Sequence, residues 1–176
     1  MNYATLKLHD VANGPGVRVS LFVSGCPHRC PGCFNEEAWD FGYGEPFTET
    51  VADKLLDALA PDYIKGFSLL GGEPFAPSNR EELAPLLERI RRVYPNKTVW
   101  CYSGYELDRE LLGGKAGDEG TLRRMLACID VLVDGRFIEA KKNLNLRFRG
   151  SSNQRIIDLP ATLAEGKLIL MDEYMK

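Results

Sequence analysis

Residues 17–33 read VRVSLFVSGCPHRCPGC, an apolar run that leads directly into three cysteines. Cys26, Cys30 and Cys33 follow the spacing C-x3-C-x2-C within eight residues. Three thiolates are one too few to close a tetrahedral metal site or to hold every iron of a four-iron cluster. A four-iron cluster on three cysteines would leave one iron without a protein ligand, and an open metal position is where chemistry occurs. The stretch therefore predicts a strand followed by a metal-binding loop with one free coordination position.

The composition is that of one globular domain. The chain has 176 residues, of which 44% are hydrophobic and 27% charged, enough for a sizeable core. We expect a single domain over residues 1–176, with its core at about 13–158 and a C-terminal tail, 159–176, that matches no pattern we can assign. The odd number of cysteines and the lack of a signal-peptide pattern favour reduced thiols and a cytoplasmic location.

Charge and hydropathy argue against two classes of partner. The formal net charge is −3, so the whole chain presents no positive field to a nucleic acid. No apolar stretch approaches the roughly 18 residues that a membrane span requires. We expect neither a nucleic acid nor a membrane as a partner.

Strand-like and helix-like segments alternate along the chain, which is typical of parallel βαβ units. The pattern predicts helices over 49–59, 79–93 and about 122–128. It predicts strands over 17–24, 66–70, 98–102 and 131–134, with 167–171 as a last strand. These elements favour an α/β fold, an open partial (β/α) barrel of about five or six mostly parallel strands. In such a barrel the active residues lie on loops at the carboxyl ends of the strands.

Zinc is the structural alternative for the cysteine loop. His28, Cys101 or Cys128 could supply a fourth ligand, but zinc sites normally combine ligand pairs from two segments. His28 lies inside the loop, where coordination would be cramped, so we expect its side chain to be exposed or hydrogen-bonded locally. Cys101 and Cys128 lack a partner pattern, and we expect both to be small buried hydrophobes.

Several motifs carry a family resemblance. Cys26-Pro-His-Arg-Cys30-Pro-Gly-Cys33 resembles the signature of radical S-adenosylmethionine enzymes, and Asn13-Gly-Pro-Gly-Val-Arg18 resembles the GPG-x-R sequence of glycyl-radical-enzyme activases. Leu69-Leu-Gly-Gly-Glu-Pro74 resembles the GGE motif of the same superfamily. The chain is further similar to the activating proteins of anaerobic (class III) ribonucleotide reductases in Phe22–Cys26, Cys30–Asn35, Trp39, Gly44–Phe47, Val131–Phe137 and Arg149–Gln154.

The resemblance implies a radical S-adenosylmethionine fold and a set of site residues. A [4Fe–4S] cluster would be bound by Cys26, Cys30 and Cys33, and its open iron would bind S-adenosyl-L-methionine. Residues implied near this cofactor are Gly32, Cys33, Phe34, Gly71, Gly72, Glu73, Ser103 and Asp134.

Each of these residues has an implied role and a plainer alternative. The two glycines would admit the methionine end, and Glu73 would accept from its ammonium group, unless it is the solvated end of a turn. Phe34 would shield the cluster or stack beside the adenine, unless it is core. Ser103 and Asp134 could equally be turn caps.

The implied function is that of an oxidoreductase, a glycyl-radical-generating activase. Reductive cleavage of the cofactor would give a 5′-deoxyadenosyl radical, which would take hydrogen from a backbone glycine of the anaerobic ribonucleotide reductase large subunit. Arg18, Arg149 and Asn153 are candidate partner-binding residues. A basic segment at Lys141, Lys142 and Arg147 would dock the reductase or a flavodoxin-like electron donor, or is simply solvated.

Two other functions remain open from the sequence. A small radical enzyme acting on a metabolite, similar to the deazaguanine-forming synthases, would share the cysteine loop and the GGE motif. A metal-binding interaction module without turnover would share only the metal. Metal analysis separates the last of these, because a cubane cluster requires about four irons per chain.

Overall fold

The structure is a computed structural model that describes residues 1–114 and 116–175. Within these residues seven strands form one sheet in the order β3-β1-β2-β4-β5-β6-β7. The strands are β1 (Asn2–Asp10), β2 (Val17–Val23), β3 (Glu45–Pro46), β4 (Ile64–Gly71), β5 (Thr98–Tyr102), β6 (Val131–Asp134) and β7 (Arg155–Asp158).

The middle of the sheet is parallel and its edges are antiparallel. Strands β2, β4, β5 and β6 pair in parallel, whereas β1, β3 and β7 pair antiparallel with their neighbours. The predicted α/β fold with mostly parallel strands is confirmed for this middle part. The expected number of strands is too low, because the edge strands lack the continuous apolar run of a strand buried on both faces.

The last strand differs from the prediction. Residues 167–171 do not form one, and Leu170 makes only a single bridge to Ile157. The last strand is instead β7, where Ile156 and Ile157 are fully buried. A four-residue strand with two apolar residues gives too weak a pattern to be recognised.

Five α-helices occur among the described residues: α1 (Glu49–Leu59), α2 (Pro77–Val93), α3 (Glu119–Leu126), α4 (Leu159–Glu165) and α5 (Asp172–Met175). Side chains cap the first turns of α1 and α3, where Thr48 accepts from Val51 N–H and Asp118 accepts from two N–H groups. The predicted helices at 49–59, 79–93 and 122–128 are confirmed, with α2 and α3 beginning earlier than expected.

The two faces of the sheet are covered differently. Helices α1, α2 and α3 pack on one face and bury the main core with the strand residues Val19, Leu21, Phe67, Leu69, Val99 and Cys101. On the other face Trp100 and Val133 pack against Phe148 and the tail residue Tyr174. Arg18 and Ser68 are also buried, and their positions in β2 and β4 alternate with those of the main core. Helices therefore cover one face, while a loop and the tail cover part of the other. Among the described residues no helix is both long and apolar enough to cross a membrane.

Candidate active site

A cleft of about 500 Å³ opens at the carboxyl ends of the parallel strands. The loop after β2 contributes Cys26, Cys30 and Cys33 to it, and the turn after β4 contributes Gly71 and Gly72. Leu70 of β4 also lines the cleft. Other lining residues come from the ends of β5 and β6 and from the segment before β7, and they include Tyr102, Ser103, Gly135, Phe148 and Arg149. The cysteine and glycine motifs, 38 or more positions apart in the sequence, thus border one cavity.

The three cysteines are half-buried free thiols. Burial raises the pKa of Cys26 to about 11 and raises the pKa of Cys30 above its ordinary value. Because the thiolate is the form that binds metal, a metal bound by these cysteines would have to displace their protons.

The donor set of the loop fits a cluster better than a single ion. Around one zinc, tetrahedral ligands at 2.3 Å place sulfurs only about 3.8 Å apart. Among residues 1–114 and 116–175, no three His, Cys, Asp or Glu side chains are gathered closely enough to hold one metal ion. A cubane cluster requires its cysteine sulfurs to lie further apart, because each cysteine binds a different iron. Three thiols on one loop beside an open cleft would supply one ligand to each of three irons.

The segment that follows the cysteines anchors the loop. Gly25 N–H donates to Ala38 O at 2.8 Å, and Cys26 N–H donates to Trp39 O at 3.1 Å. Gly25 has φ +91°, and a Cβ at this position would lie 2.1 Å from the Phe41 ring. The first cysteine is therefore fixed by backbone contacts that do not involve metal.

Glu73 is completely buried and joins three parts of the site. Its Oε1 accepts from Phe75 N–H and from the Ser103 hydroxyl, both at 2.9 Å. Its Oε2 accepts from Gly104 N–H at 2.8 Å and lies 2.8 Å from His28 Nε2. We call Glu73, His28, Ser103 and Gly104 the Glu73 hub. The hub ties the cysteine loop to the ends of β4 and β5.

His28 does not behave as expected from the sequence. Its side chain is only 4% exposed, and its partner Glu73 lies 45 positions further along the chain. The ring also packs edge-on against Tyr105, with centroids 4.4 Å apart. The expectation of an exposed or locally bonded side chain is wrong, because a buried carboxylate needs donors and the loop brings His28 to it.

The glycines of the GGE motif fit against the cysteine loop. Gly72 N–H donates to Val23 O and Glu73 N–H donates to Gly25 O, both at 2.7 Å. A Cβ on Gly72 would lie 2.4 Å from Gly25 O, and Gly71 has φ +111°. Backbone packing alone therefore requires both glycines, whatever they bind.

Asp134 is also completely buried, and Gly135 lines the cleft in its place. Its carboxylate accepts from Leu107 N–H at 2.7 Å and from Arg155 Nε and Nη2 at 2.8 and 2.6 Å. These bonds to Asp134 raise the pKa of Arg155 above its ordinary value. Contact of Asp134 or Glu73 with a cofactor stays a prediction, since both carboxylates already accept hydrogen bonds from protein groups.

Gly32, Phe34 and Ser103 all line the cleft, and their contact with a cofactor stays a prediction. Phe34 is 85% exposed, so the alternative that it is a core residue is wrong. Cys101 and Cys128 are buried, as expected.

The three candidate partner-binding residues are placed differently from one another. Arg18 is fully buried and donates to Ser68 Oγ at 2.7 Å, Phe67 O at 2.8 Å and Thr98 O at 2.9 Å. The expectation that Arg18 faces a partner is wrong, because its guanidinium donates hydrogen bonds to residues of β4 and β5. Burial also lowers the pKa of Arg18 to about 10.

Arg149 lines the cleft and donates to the carbonyls of Gln154 at 2.7 Å and Met175 at 2.8 Å, which links the tail to the cleft wall. The Asn153 side-chain amide donates to Arg136 O at 2.8 Å. Roles for Arg149 and Asn153 in partner binding stay predictions.

Sequence reasoning missed the contact of His28 with Glu73, the place of Tyr102 on the cleft, and the lining residues Asn143, Leu144, Leu146 and Phe148. Tyr102 could have been found by strand alternation, because it shares the parity of Trp100 and ends β5. The lining segment carries no periodic pattern, and the contact of His28 with Glu73 leaves no local signal.

Comparisons with known proteins agree with this geometry. A family model described as a 4Fe-4S single cluster domain matches residues 12–157. The chain is 42% identical over 156 residues to the anaerobic ribonucleoside-triphosphate reductase-activating protein of Escherichia coli, covering 88% of this chain and 96% of that protein. The protein of the same name from Haemophilus influenzae is 42% identical over 158 residues, covering 89% and 97%. The one from Vibrio cholerae is 40% identical over 158 residues, with the same coverage.

Proposed function

Because the chain belongs to the family of anaerobic ribonucleoside-triphosphate reductase-activating proteins, we propose that its cleft generates the radical that activates such a reductase. The observation that carries this proposal is the location of Cys26, Cys30 and Cys33 on one wall of an open cleft at the strand ends. The matched 4Fe-4S domain includes this loop, and the names of the relatives supply the acceptor.

The cysteines, the Glu73 hub and the two glycines would have separate roles in this function. The three cysteine thiolates would hold a [4Fe–4S] cluster. When bound, the cluster and S-adenosylmethionine would supply radical chemistry, in which one electron from an external reductant cleaves a carbon–sulfur bond of the cofactor. The Glu73 hub holds the cysteine loop against the ends of β4 and β5. Gly71 and Gly72 line the cleft at the end of β4, where the methionine end of the cofactor would lie.

We assign the sheet to the open partial barrel of radical S-adenosylmethionine enzymes. Two features support this assignment: helices α1–α3 cover only one face, and the cleft opens at the carboxyl ends of parallel strands. A cleft that is open to solvent suits a substrate that is a glycine in another protein's backbone.

The reductase is the partner that the family membership implies. A flavodoxin-like electron donor is a further proposal, supported by the exposed Lys141 and Lys142, which would attract an acidic protein surface. The cytoplasmic location also stays a prediction.

Anaerobic reconstitution tests the function. The protein is loaded with iron and sulfide, mixed with S-adenosylmethionine, a strong reductant and the candidate reductase, and examined by electron paramagnetic resonance. We expect a glycyl radical on the reductase and about four irons per chain. A reductase with its radical glycine replaced by alanine is the matched control and should give no glycyl signal.

Two results would contradict the proposal. A colourless protein with one zinc would indicate a binding module. If cofactor cleavage is coupled to the conversion of a metabolite and the reductase is not activated, the protein is a radical enzyme that acts on a metabolite.

A further inference from the structure

Three side chains of the motif Arg149–Gln154 bind the backbone of residues 135–138, the segment that follows β6. They are Ser151, which accepts from Ile138 N–H at 3.2 Å, Asn153, which donates to Arg136 O at 2.8 Å, and Gln154, which donates to Gly135 O at 3.0 Å. Among these four residues Phe137 alone has no backbone hydrogen bond to the motif. The motif therefore fixes the backbone on both sides of Phe137, which lines the cleft.

The segment held in this way lies against the second half of the cysteine loop. Phe137 and Cys30 line the same cleft, and the Glu139 side chain covers Gly32, where a Cβ would come within 2.9 Å of its carboxylate. Burial raises the pKa of the Cys30 thiol, and a hydrogen bond from the Phe137 backbone acts in the opposite direction. A backbone group that favours the thiolate is a donor, so the Phe137 N–H faces the Cys30 sulfur.

The Asn153 side chain sets the direction of this N–H. Arg136 C=O and Phe137 N–H belong to one planar, trans peptide unit, so the two groups point in opposite directions. The bond from the Asn153 amide to Arg136 O therefore directs the N–H away from Asn153, to the side where Cys30 lies. A peptide whose carbonyl accepts a hydrogen bond is also polarised, which strengthens its N–H as a donor.

A hydrogen bond to a cluster sulfur favours one redox state of the cluster over the other. Reduction adds negative charge to the cluster and its sulfurs, so an N–H donor stabilises the reduced form and raises the reduction potential. Groups that hydrogen-bond to metal ligands are a general means by which proteins tune a metal site. In the proposed function this potential determines how much of the cluster a given electron donor reduces.

We propose that Asn153 holds the Phe137 N–H as a hydrogen-bond donor to the cluster-bound sulfur of Cys30 and thereby raises the reduction potential of the cluster, an inference that rests on the proposed function. Asn153 is then a positioning residue, because it acts through the peptide unit between Arg136 and Phe137 and touches neither the cluster nor the cofactor. This role is distinct from the partner binding expected of Asn153 from the sequence.

The test is Asn153→Leu, which keeps the branched shape of the side chain and removes its amide donor. The reconstituted protein is titrated with a chemical reductant, and the reduced cluster is measured by electron paramagnetic resonance. At the midpoint potential of the parent protein we expect the ratio of reduced to oxidised cluster to fall about tenfold, the effect of losing one hydrogen bond to a charged group. For one electron this corresponds to a midpoint about 59 mV more negative.

Two further measurements locate the effect. Hydrogen exchange at the Phe137 amide should be faster in reconstituted Asn153→Leu than in the reconstituted parent, because the N–H is no longer held against the sulfur. The iron content should stay at about four per chain, since all three cysteines remain.

Asn2→Leu is the matched control. The Asn2 amide also donates to a backbone carbonyl, Gly42 O at 2.9 Å, and neither residue lines the cleft. This variant loses the same kind of hydrogen bond at a site away from Cys30. It should change the midpoint of unfolding about as much as Asn153→Leu does and should leave the reduction potential unchanged.

Four outcomes would overturn the inference: an unchanged potential in Asn153→Leu, an equal shift in both variants, a shift without faster exchange at Phe137, or a loss of iron, which would show that Asn153 maintains the shape of the loop. Failure of the proposed function has a different signature. A cluster that shows the expected shift but gives no glycyl radical on the reductase would contradict the function and support the inference. A parent protein that forms no cluster would contradict both.

Discussion

Strand β4 contributes to two environments, one on each face of the sheet. Phe67 and Leu69 point into the core under the helices, where neighbouring side chains are almost all apolar. Ser68 and Leu70 point the other way, towards the buried Arg18 and towards the cleft. The face covered by helices is filled by the protein's own side chains. The opposite face contains buried polar groups and a cavity, and only the side chains that line this cavity are available to a ligand.

The difference shows how a chain of this size separates stability from chemistry. Apolar burial on the helix side stabilises the fold in proportion to the area removed from water. The cleft side contributes less to stability and contains the cysteines and the hub. Substitutions on the two sides should therefore affect different measurements.

The largest effect is expected from Cys30→Ala on the cleft side. Loss of one of the three proposed cluster ligands should abolish iron loading and formation of 5′-deoxyadenosine. The free energy of unfolding of the metal-free protein should change by less than about 1 kcal/mol, since the side chain is half-buried. Cys128→Ala, which alters a thiol in the main core, is the control and should keep both iron and turnover. Unchanged turnover in Cys30→Ala would show that the cluster lies elsewhere.

On the helix side Leu69→Ala should cost about 3 kcal/mol of unfolding free energy, because Leu69 is completely buried among apolar neighbours. Leu70→Ala is the matched variant on the cleft side and should cost less, since Leu70 borders an existing cavity. Denaturant unfolding of both metal-free variants measures the difference. Equal losses would mean that the two faces are packed alike.

Glu73→Gln should have an intermediate effect. The amide replaces one acceptor oxygen with an NH2 group that faces existing donors, so we expect a loss of about 2 kcal/mol in unfolding free energy. S-adenosylmethionine affinity should fall while the iron content stays near normal. Chemical denaturation and equilibrium binding measure the two quantities. A stability equal to that of the parent protein would contradict the structural role of the hub.

Phe34→Ala should change stability least, by less than about 0.5 kcal/mol, because the ring is 85% exposed. If the ring stacks on the adenine, S-adenosylmethionine should bind about tenfold more weakly, since stacking of a base on an aromatic ring is worth about 1–3 kcal/mol. Isothermal titration of the reconstituted protein measures this change. Normal affinity would leave the exposed ring available to the reductase instead.

The sequence predicted the parallel centre of the fold well. Helix α1 and strands β5 and β6 have the expected boundaries, because strong apolar patterns and Pro61 mark them. Strand β1 was not predicted, since the exposed Thr5, Lys7 and His9 alternate with less exposed residues and leave no apolar run.

The site was predictable where function is local in sequence. The cysteines and the two glycines lie on single loops, and the structure places all five on the cleft. The contact of His28 with Glu73 and the pairing of Asp134 with Arg155 are set by tertiary structure. A carboxylate in a motif therefore does not reveal whether it faces a ligand or another part of the protein.

The Glu73 hub also affects what happens to the cysteine loop when a cluster is lost. Protein bonds alone hold His28, Gly25 and Cys26 of the cysteine loop. Loss of a cluster to oxygen should consequently leave the loop attached to β4 and β5 and the fold intact. Reloading then requires only the delivery of iron and sulfide to a preformed loop, so damage by air becomes repairable rather than terminal.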